Sequence, residues 1–360
     1  MAQNKNQHYV PQFYFRFFSK DGKNIEIFNL KDGKHYSGPF KNQSSKDYFY
    51  HKDKNLEEAF SKLEDSQNRA LKKLIDEKDF KKLKQEEYVE ILRFLTFQRT
   101  RTENSKIEAN QSTQIFVNEI MKPLMLQNKE LSKSISKEEI EKLDITYPAD
   151  HLFSISIGLQ SPILISDLIP IILENKTNTD FIFSDHPVVF YNLFFSQDEF
   201  ESHIGFQSLG LQIFCPLSDK LCLLLFDPCI YEVAGAKNNT IEIQDNEDIE
   251  KINRLQFHNC NDLIHYSDKN KKEGLTNNAE KFLKDYPKQE QKVKKEKLKV
   301  INKPNSEVLM IGEINIHEWI ELSFIRIKKV RNQRLIDFHM KELEKLKLNK
   351  NTDKDTNSLN

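Results

Sequence analysis

The segment Gln7-His8-Tyr9-Val10-Pro11-Gln12-Phe13-Tyr14-Phe15-Arg16-Phe17-Phe18 is the strongest constraint on what this chain folds into. Tyr9, Phe13, Tyr14, Phe15, Phe17 and Phe18 put six aromatic rings in a dozen positions. Each ring carries a large apolar area, so the stretch is expected inside a core and not as a solvated tail. If Pro11 opens a helix, Gln12 and Arg16 lie four apart on one side of it. The segment is therefore expected to plug the main core and to carry polar groups into the interior or a cleft beside it.

A chain of 360 residues with 38% hydrophobic content can bury such a core once its charged stretches are set aside. With only 9 Gly, a glycine-rich nucleotide fold is disfavoured. The net charge of −1 gives no global basic field of the kind that marks many nucleic-acid binders, though local basic patches remain open. The longest apolar segments, residues 161–173 and 221–226, are too short to span a bilayer, and the first contains Asp167 and Pro170. No signal-peptide pattern is present at the N-terminus, so the cytoplasm is the expected location. Cys215, Cys222 and Cys229 recur every seven residues, with Cys260 further on. Zinc sites use pairs two to four residues apart, and none is present; Cys215 and Cys222, in apolar strand-like sequence, are expected to be reduced core thiols.

Along the chain, Ile25, Ile27 and Phe28 precede Lys31-Asp32-Gly33-Lys34 and then His35-Tyr36, the pattern of a hairpin with an Asp-Gly turn. Asn55 and Glu58 form a capping box for a helix with Leu56, Ala59, Phe60, Leu63, Leu71, Leu74 and Ile75 on one face. A second helix is expected from near Gln85, running past Arg101 towards Met121, and Ser136 with Glu139 caps a short acidic one. Residues 149–173 read as a helix interrupted near Pro162 and Pro170. From Asp180 the pattern changes to short apolar runs at 181–183, 188–191, 209–214 and 221–226, which are expected to be buried, mainly antiparallel strands. A helix near 246–258 and a strand at 263–266 follow.

This spacing predicts an α+β domain over residues 1–268, with helices of the N-terminal half packed on a mainly antiparallel sheet formed largely by the second half. Residues 269–303 read as a lysine-rich linker or exposed helix, 304–347 as a small C-terminal appended unit, and 348–360 as a disordered tail.

Several polar residues stand where a core is expected. His8 precedes the apolar run and is either a hydrogen-bonded structural residue or a catalyst. Gln98 and Arg101 follow Ile91 and Leu95 along one helix ridge, as a structural network or as an anion-binding pair. Asp185, in Ser184-Asp185-His186-Pro187, lies between two apolar runs and serves either a turn, by accepting backbone amides, or as a general base or metal ligand. Asn253 and Gln256 share a face with Ile249, where they cap buried backbone or line a cleft.

The sequence resembles a bacterial family known as domain of unknown function 4238. The resemblance rests on His8-Tyr9-Val10-Pro11-Gln12-Phe13-Tyr14 followed by Arg16-Phe17, and on Gln98-Arg99-Thr100-Arg101. Ser184-Asp185-His186-Pro187-Val188-Val189 and Pro216-Leu217-Ser218 complete it, over about residues 7–267. The chain departs from the family pattern in having Phe15 for Leu and His186 for Asn, which makes Asp185 the better site candidate. The resemblance implies a self-contained bacterial domain and brings no established activity.

His8, Gln12, Gln98, Arg101 and Asp185 are expected at one cleft. The leading expectation is a hydrolase acting on a phosphate-containing substrate, with a nuclease as one form. His8 or Asp185 would be the general base and Arg101 would stabilise developing charge, with Gln12, Gln98 and Asn253 binding substrate. No cofactor is identified; a divalent metal would be held by Asp185 and His8. Nucleic acid or a phosphorylated small molecule is the expected partner, and no membrane. The competing class is a non-catalytic ligand-binding or protein-interaction module, such as a sensor in a defence or stress locus. A phosphate-binding loop, a Gly-x-Ser-x-Gly elbow, a His-Glu-x-x-His helix and a kinase signature are all absent from the sequence.

Overall fold

The computed structural model describes residues 6–128, 130, 134–143, 150–196, 203–285, 293–300, 303–311, 316 and 318–328. In chain order, strand β1 (Asn6–His8) leads into helix α1 (Gln12–Arg16), and β2 (Asn24–Asn29) and β3 (Lys34–Pro39) form the expected hairpin. Gly33, with φ of 66°, makes its turn. Strand β4 (Ser45–Asp47) then pairs antiparallel with β1. The helices α2 (Lys54–Glu77), α3 (Gln85–Thr100), α4 (Glu103–Phe116), α5 (Lys122–Gln127), α6 (Lys137–Glu141) and α7 (Asp150–Gln160) fill the rest of the first half.

Strands β5 (Ile169–Asn175), β6 (Phe183–Ser184), β7 (Val189–Tyr191), β8 (Gln212–Pro216), β9 (Leu221–Phe226), β10 (Tyr231–Val233) and β11 (Thr240–Ile243) follow. Helix α8 (Asn246–Asn259), β12 (Leu263–Tyr266), α9 (Lys272–Asp285), β13 (Val293–Val300), β14 (Lys303–Ile311) and β15 (Ile325–Ile327) complete the described chain. The class is α+β, with mainly antiparallel sheets.

The five-stranded sheet has the order β11-β5-β9-β8-β7, antiparallel except at β11–β5. Its inner strands β8 and β9 are buried at every residue because both faces are covered, whereas the edge strand β11 alternates. Ile172, Ile213, Cys215, Leu223 and Leu225 face a core shared with the aromatic plug, α2 and α3. Their neighbours Ile171, Leu173, Phe214, Cys222 and Leu224 face a second core with Ile249, Ile252 and Leu255 of α8. The four-stranded sheet, β3-β2-β12-β6, ties the early hairpin to the end of the main body. Phe13, Tyr14, Phe15 and Phe18 of the plug are all buried, and Tyr14, Phe15 and Phe18 each pack a ring against Phe183.

Several local expectations change. Helix α2 starts at Lys54 and its N-cap is Asp53, whose carboxylate accepts from the Asn55 amide at 2.9 Å; Asn55 lies inside the helix. Helix α3 starts at Gln85 as expected but stops at Thr100. The Thr102 hydroxyl accepts from the Ser105 amide and restarts the chain as α4, so Arg101 sits at a helix junction. Residues 169–175 are a strand and not the end of a helix. Ile169, Ile171 and Ile172 suit the ladder, and Pro170 lies beyond the residues paired with β11, where its missing N–H leaves that side of the ladder intact.

Within the expected lysine-rich stretch lie helix α9 and strand β13, and β13 pairs with β14 as a separate hairpin. Ile316, Ile320, Leu322, Phe324 and Ile325 join the second core, and β15 pairs with β10. Residues 348–360 lie outside the described residues. Among the described residues no helix is long and apolar enough to cross a membrane.

Candidate functional site

Helix α1 is opened by Pro11 in an extended conformation, φ −69° and ψ 146°, which fixes its direction as the chain leaves β1. Its apolar residues turn into the core, while Gln12 and Arg16, four apart, border a cavity of about 220 Å³. His8 from β1 and Arg101 from the α3–α4 junction line the same cavity. The opposite wall is a polar stripe of α2, in which Glu57, Ser61, Glu64 and Asn68 recur at helical spacing with Asp65 beside them.

Arg101 is 1% exposed. Its Nε donates to the Tyr50 hydroxyl at 2.8 Å, its Nη2 to the His8 carbonyl at 2.6 Å, and Glu64 lies 2.7 Å from Nη2. Phe97, Phe60 and Tyr50 surround the guanidinium, with the Phe97 ring centroid 4.5 Å away. Its remaining nitrogen, Nη1, is buried without a hydrogen-bond partner. A guanidinium always carries its charge, so Nη1 is an unanswered donor on a residue that lines a polar cavity.

His8 is fixed by a bond of 2.8 Å from Nε2 to the Lys41 carbonyl. A carbonyl only accepts, so Nε2 carries the proton and the neutral ring keeps its lone pair on Nδ1. Burial lowers the His8 pKa, against the pull of the Lys41 carbonyl and Glu64, while Arg101 adds to the lowering. The ring is therefore neutral at pH 7. Glu57 is shifted the other way, raised by burial and by the neighbouring Glu64 against the pull of Arg101. A neutral imidazole and a carboxyl of raised pKa on the walls of one cavity form an acid–base pair in chemical type.

The other expected site residues lie elsewhere. Gln98 is 1% exposed and donates to the Tyr9 carbonyl at 2.8 Å, behind the cavity, with its Oε1 unpartnered. Asp185 does not line the cavity. Its Oδ1 accepts from the Asn261 amide at 2.8 Å and its Oδ2 from Asp262 and Leu263 at 2.8 and 3.1 Å, so it holds the α8–β12 loop. Burial pushes its carboxyl up to about 6 against the pull of those amides. The shared cleft expected for Asp185 and His8 is thus not formed, and neither is a common donor set for a metal. Among the described residues no group of three or more His, Cys, Asp or Glu is placed to hold one.

Asn253 accepts from the Ile182 amide at 3.1 Å and donates to the Asp180 carbonyl at 2.9 Å, bordering a different cavity with Phe257 and Tyr266. Gln256 likewise bonds Ser184 and Pro187. His186 is fully buried, against Arg99 and Thr102. Sequence reasoning missed Glu57, Glu64, Asp65 and Asn68. Their signal was present as the polar stripe flanking the apolar face of α2, which reads from sequence as ordinary solvated surface.

No curated protein and no solved structure matches this chain at a meaningful level. The model of the family described as "Protein of unknown function (DUF4238)" matches residues 6–270, well over half of the sequence, and the chain belongs to that family.

Proposed function

We propose that the cavity of His8, Gln12, Arg16, Glu57 and Arg101 is the active site of a hydrolase acting on a phosphate-containing substrate, with nucleic acid as the polymeric member of that class. The observation that carries the reading is the unpartnered Nη1 of buried Arg101 on a residue that borders the same cavity as His8. An anionic oxygen at Arg101 satisfies that donor, and Arg16 and Gln12 offer further donors. His8 Nδ1 takes the proton from an attacking water, and the Glu57 carboxyl returns one to the leaving oxygen. Arg101 counters the charge that develops between them. We place this chemistry in the cytoplasm, because Cys215, Cys222, Cys229 and Cys260 are all free thiols, the state a reducing compartment maintains.

One observation favours the second reading, a module that holds a ligand without transforming it, as a sensor in a defence or stress locus would. Nε and Nη2 of Arg101 are already bonded within the protein, and Glu57, Glu64 and Asp65 make the cavity mixed in charge.

Hydrolysis of a panel of phosphomonoesters, phosphodiesters and single- and double-stranded nucleic acid, compared between wild type and His8→Gln, separates the two. Glutamine retains a donor for the Lys41 carbonyl and removes the Nδ1 base. Turnover that falls at least about a hundredfold in His8→Gln, with its folding transition kept, supports the hydrolase. Inorganic phosphate that binds equally to both proteins with no turnover on any substrate supports the module. If neither turnover nor phosphate binding is found, both readings fall.

A further inference from the structure

A second cavity, of about 480 Å³, lies between α4, α7 and residues 204–206. Its size is that of a small-molecule pocket. Phe116, Phe153, Ile157, Phe190 and Phe206 supply apolar wall, and Arg99 stands among them. Phe116, Phe153 and Ile157 are 46%, 68% and 41% exposed, so three large apolar side chains remain in water around one mouth.

Arg99 is anchored on one side only. Its Nη1 contacts His186 Nε2 at 2.5 Å and Glu108 at 3.4 Å, the second being at the outer limit of a hydrogen bond. His186 is fully buried, and burial together with Arg99 holds its pKa well below the ordinary value, so Nε2 is an acceptor. Its Nδ1 bonds the Thr102 hydroxyl, which completes the anchor. Arg99 Nε and Nη2 make no hydrogen bond among the described residues, and the side chain is 13% exposed. A guanidinium edge with free donors, held rigid from behind at the wall of an apolar cavity, is the geometry that takes a carboxylate in bidentate fashion.

We propose that this cavity is a binding site for a small monocarboxylate with an apolar body, such as an acyl chain or an aromatic acid, with the carboxylate on Arg99. The site is separate from the His8–Arg101 cavity and does not depend on its function. Glu108 and Asp150 also line the cavity. Their charges select a singly charged head over a phosphate dianion, and Glu108 competes with the ligand for Arg99.

Calorimetric titration with decanoate, decanol and decylamine tests this on the full chain, which needs no knowledge of the natural ligand. Decanoate is expected to bind one site at least about tenfold more tightly than decanol. Arg99→Gln should bring decanoate down to the decanol level and leave decanol unchanged, while Ile157→Ser weakens both. Glu108→Gln should tighten decanoate by removing its competitor. No decanoate binding, equal affinity for acid and alcohol, or preference for the amine overturns the proposal. So does decanoate affinity that survives Arg99→Gln in a protein with an intact unfolding transition. Should Arg99→Gln fail to fold, Glu108→Gln decides the matter: decanoate binding that is unchanged or weaker overturns it.

Discussion

Replacing Arg101 by Met removes the central charge of the His8 cavity while keeping a long apolar side chain between Phe97, Phe60 and Tyr50. Tyr50 still donates to the His8 carbonyl at 3.0 Å, so that acceptor stays satisfied. Glu64 does not fare so well: its partner at 2.7 Å is gone and its side chain is only 23% exposed. Breaking a buried ion pair from one side costs about 3–5 kcal/mol, and the partial exposure of Glu64 puts this case near the lower end. The thioether against the rings offsets much of the lost cation–π attraction. Arg101→Met is therefore expected to lose about 3 kcal/mol in urea unfolding followed by far-ultraviolet circular dichroism, extrapolated linearly to water. Adding Glu64→Gln removes the stranded charge and should restore most of that loss, a coupling that a double-mutant cycle reads directly. A single-variant loss below about 1 kcal/mol, or no recovery in the double variant, would refute the reasoning that Arg101 and Glu64 form a coupled buried pair.

Three further outcomes are expected. Asp185→Asn keeps one acceptor for three loop amides, so at least one is left unsatisfied at a cost of about 1–3 kcal/mol, measured in the same unfolding assay. Phe15→Ala, at a position 0% exposed against Phe40, Phe183 and His265, should cost about 3–5 kcal/mol. His265 is fully buried with both ring nitrogens unpartnered, and burial lowers its pKa to about 3. The unfolded state then binds the extra proton below about pH 6.5, so this group makes stability fall as pH drops from there towards 3, by about 3 kcal/mol at pH 4.5. His265→Leu should flatten the acid limb of the stability profile by that amount, and a limb of unchanged slope would show that His265 titrates normally.

The aromatic plug, the early hairpin and the run of buried strands were legible because each rests on local pattern: ring density, an Asp-Gly turn, short apolar runs. The convergence of His8 and Arg101 was legible for a different reason, since two polar groups flanked by core need partners. The same logic misplaced Asp185, because backbone amides answer a buried carboxylate as well as a cation does and leave no mark in side-chain sequence. Residues 169–175 were misread because an apolar run with two prolines near it fits a broken helix and a central strand alike. The acidic wall of the cavity on α2 was hidden by its likeness to any solvated helix face. Only the position of α1 against it turns Glu57 and Glu64 inward.

The plug also determines when the molecule can close. Phe15 packs on His265, which follows it by 250 positions, and on Phe183, so the pocket of this ring is incomplete until β12 exists. At about 5–20 residues per second, synthesis leaves this interval open for tens of seconds. Throughout that time part of the most aromatic segment of the protein lacks its final partners on a growing chain, able to stick to a neighbour or to be held by a chaperone. The segment that centres the finished core is, during synthesis, its greatest aggregation hazard.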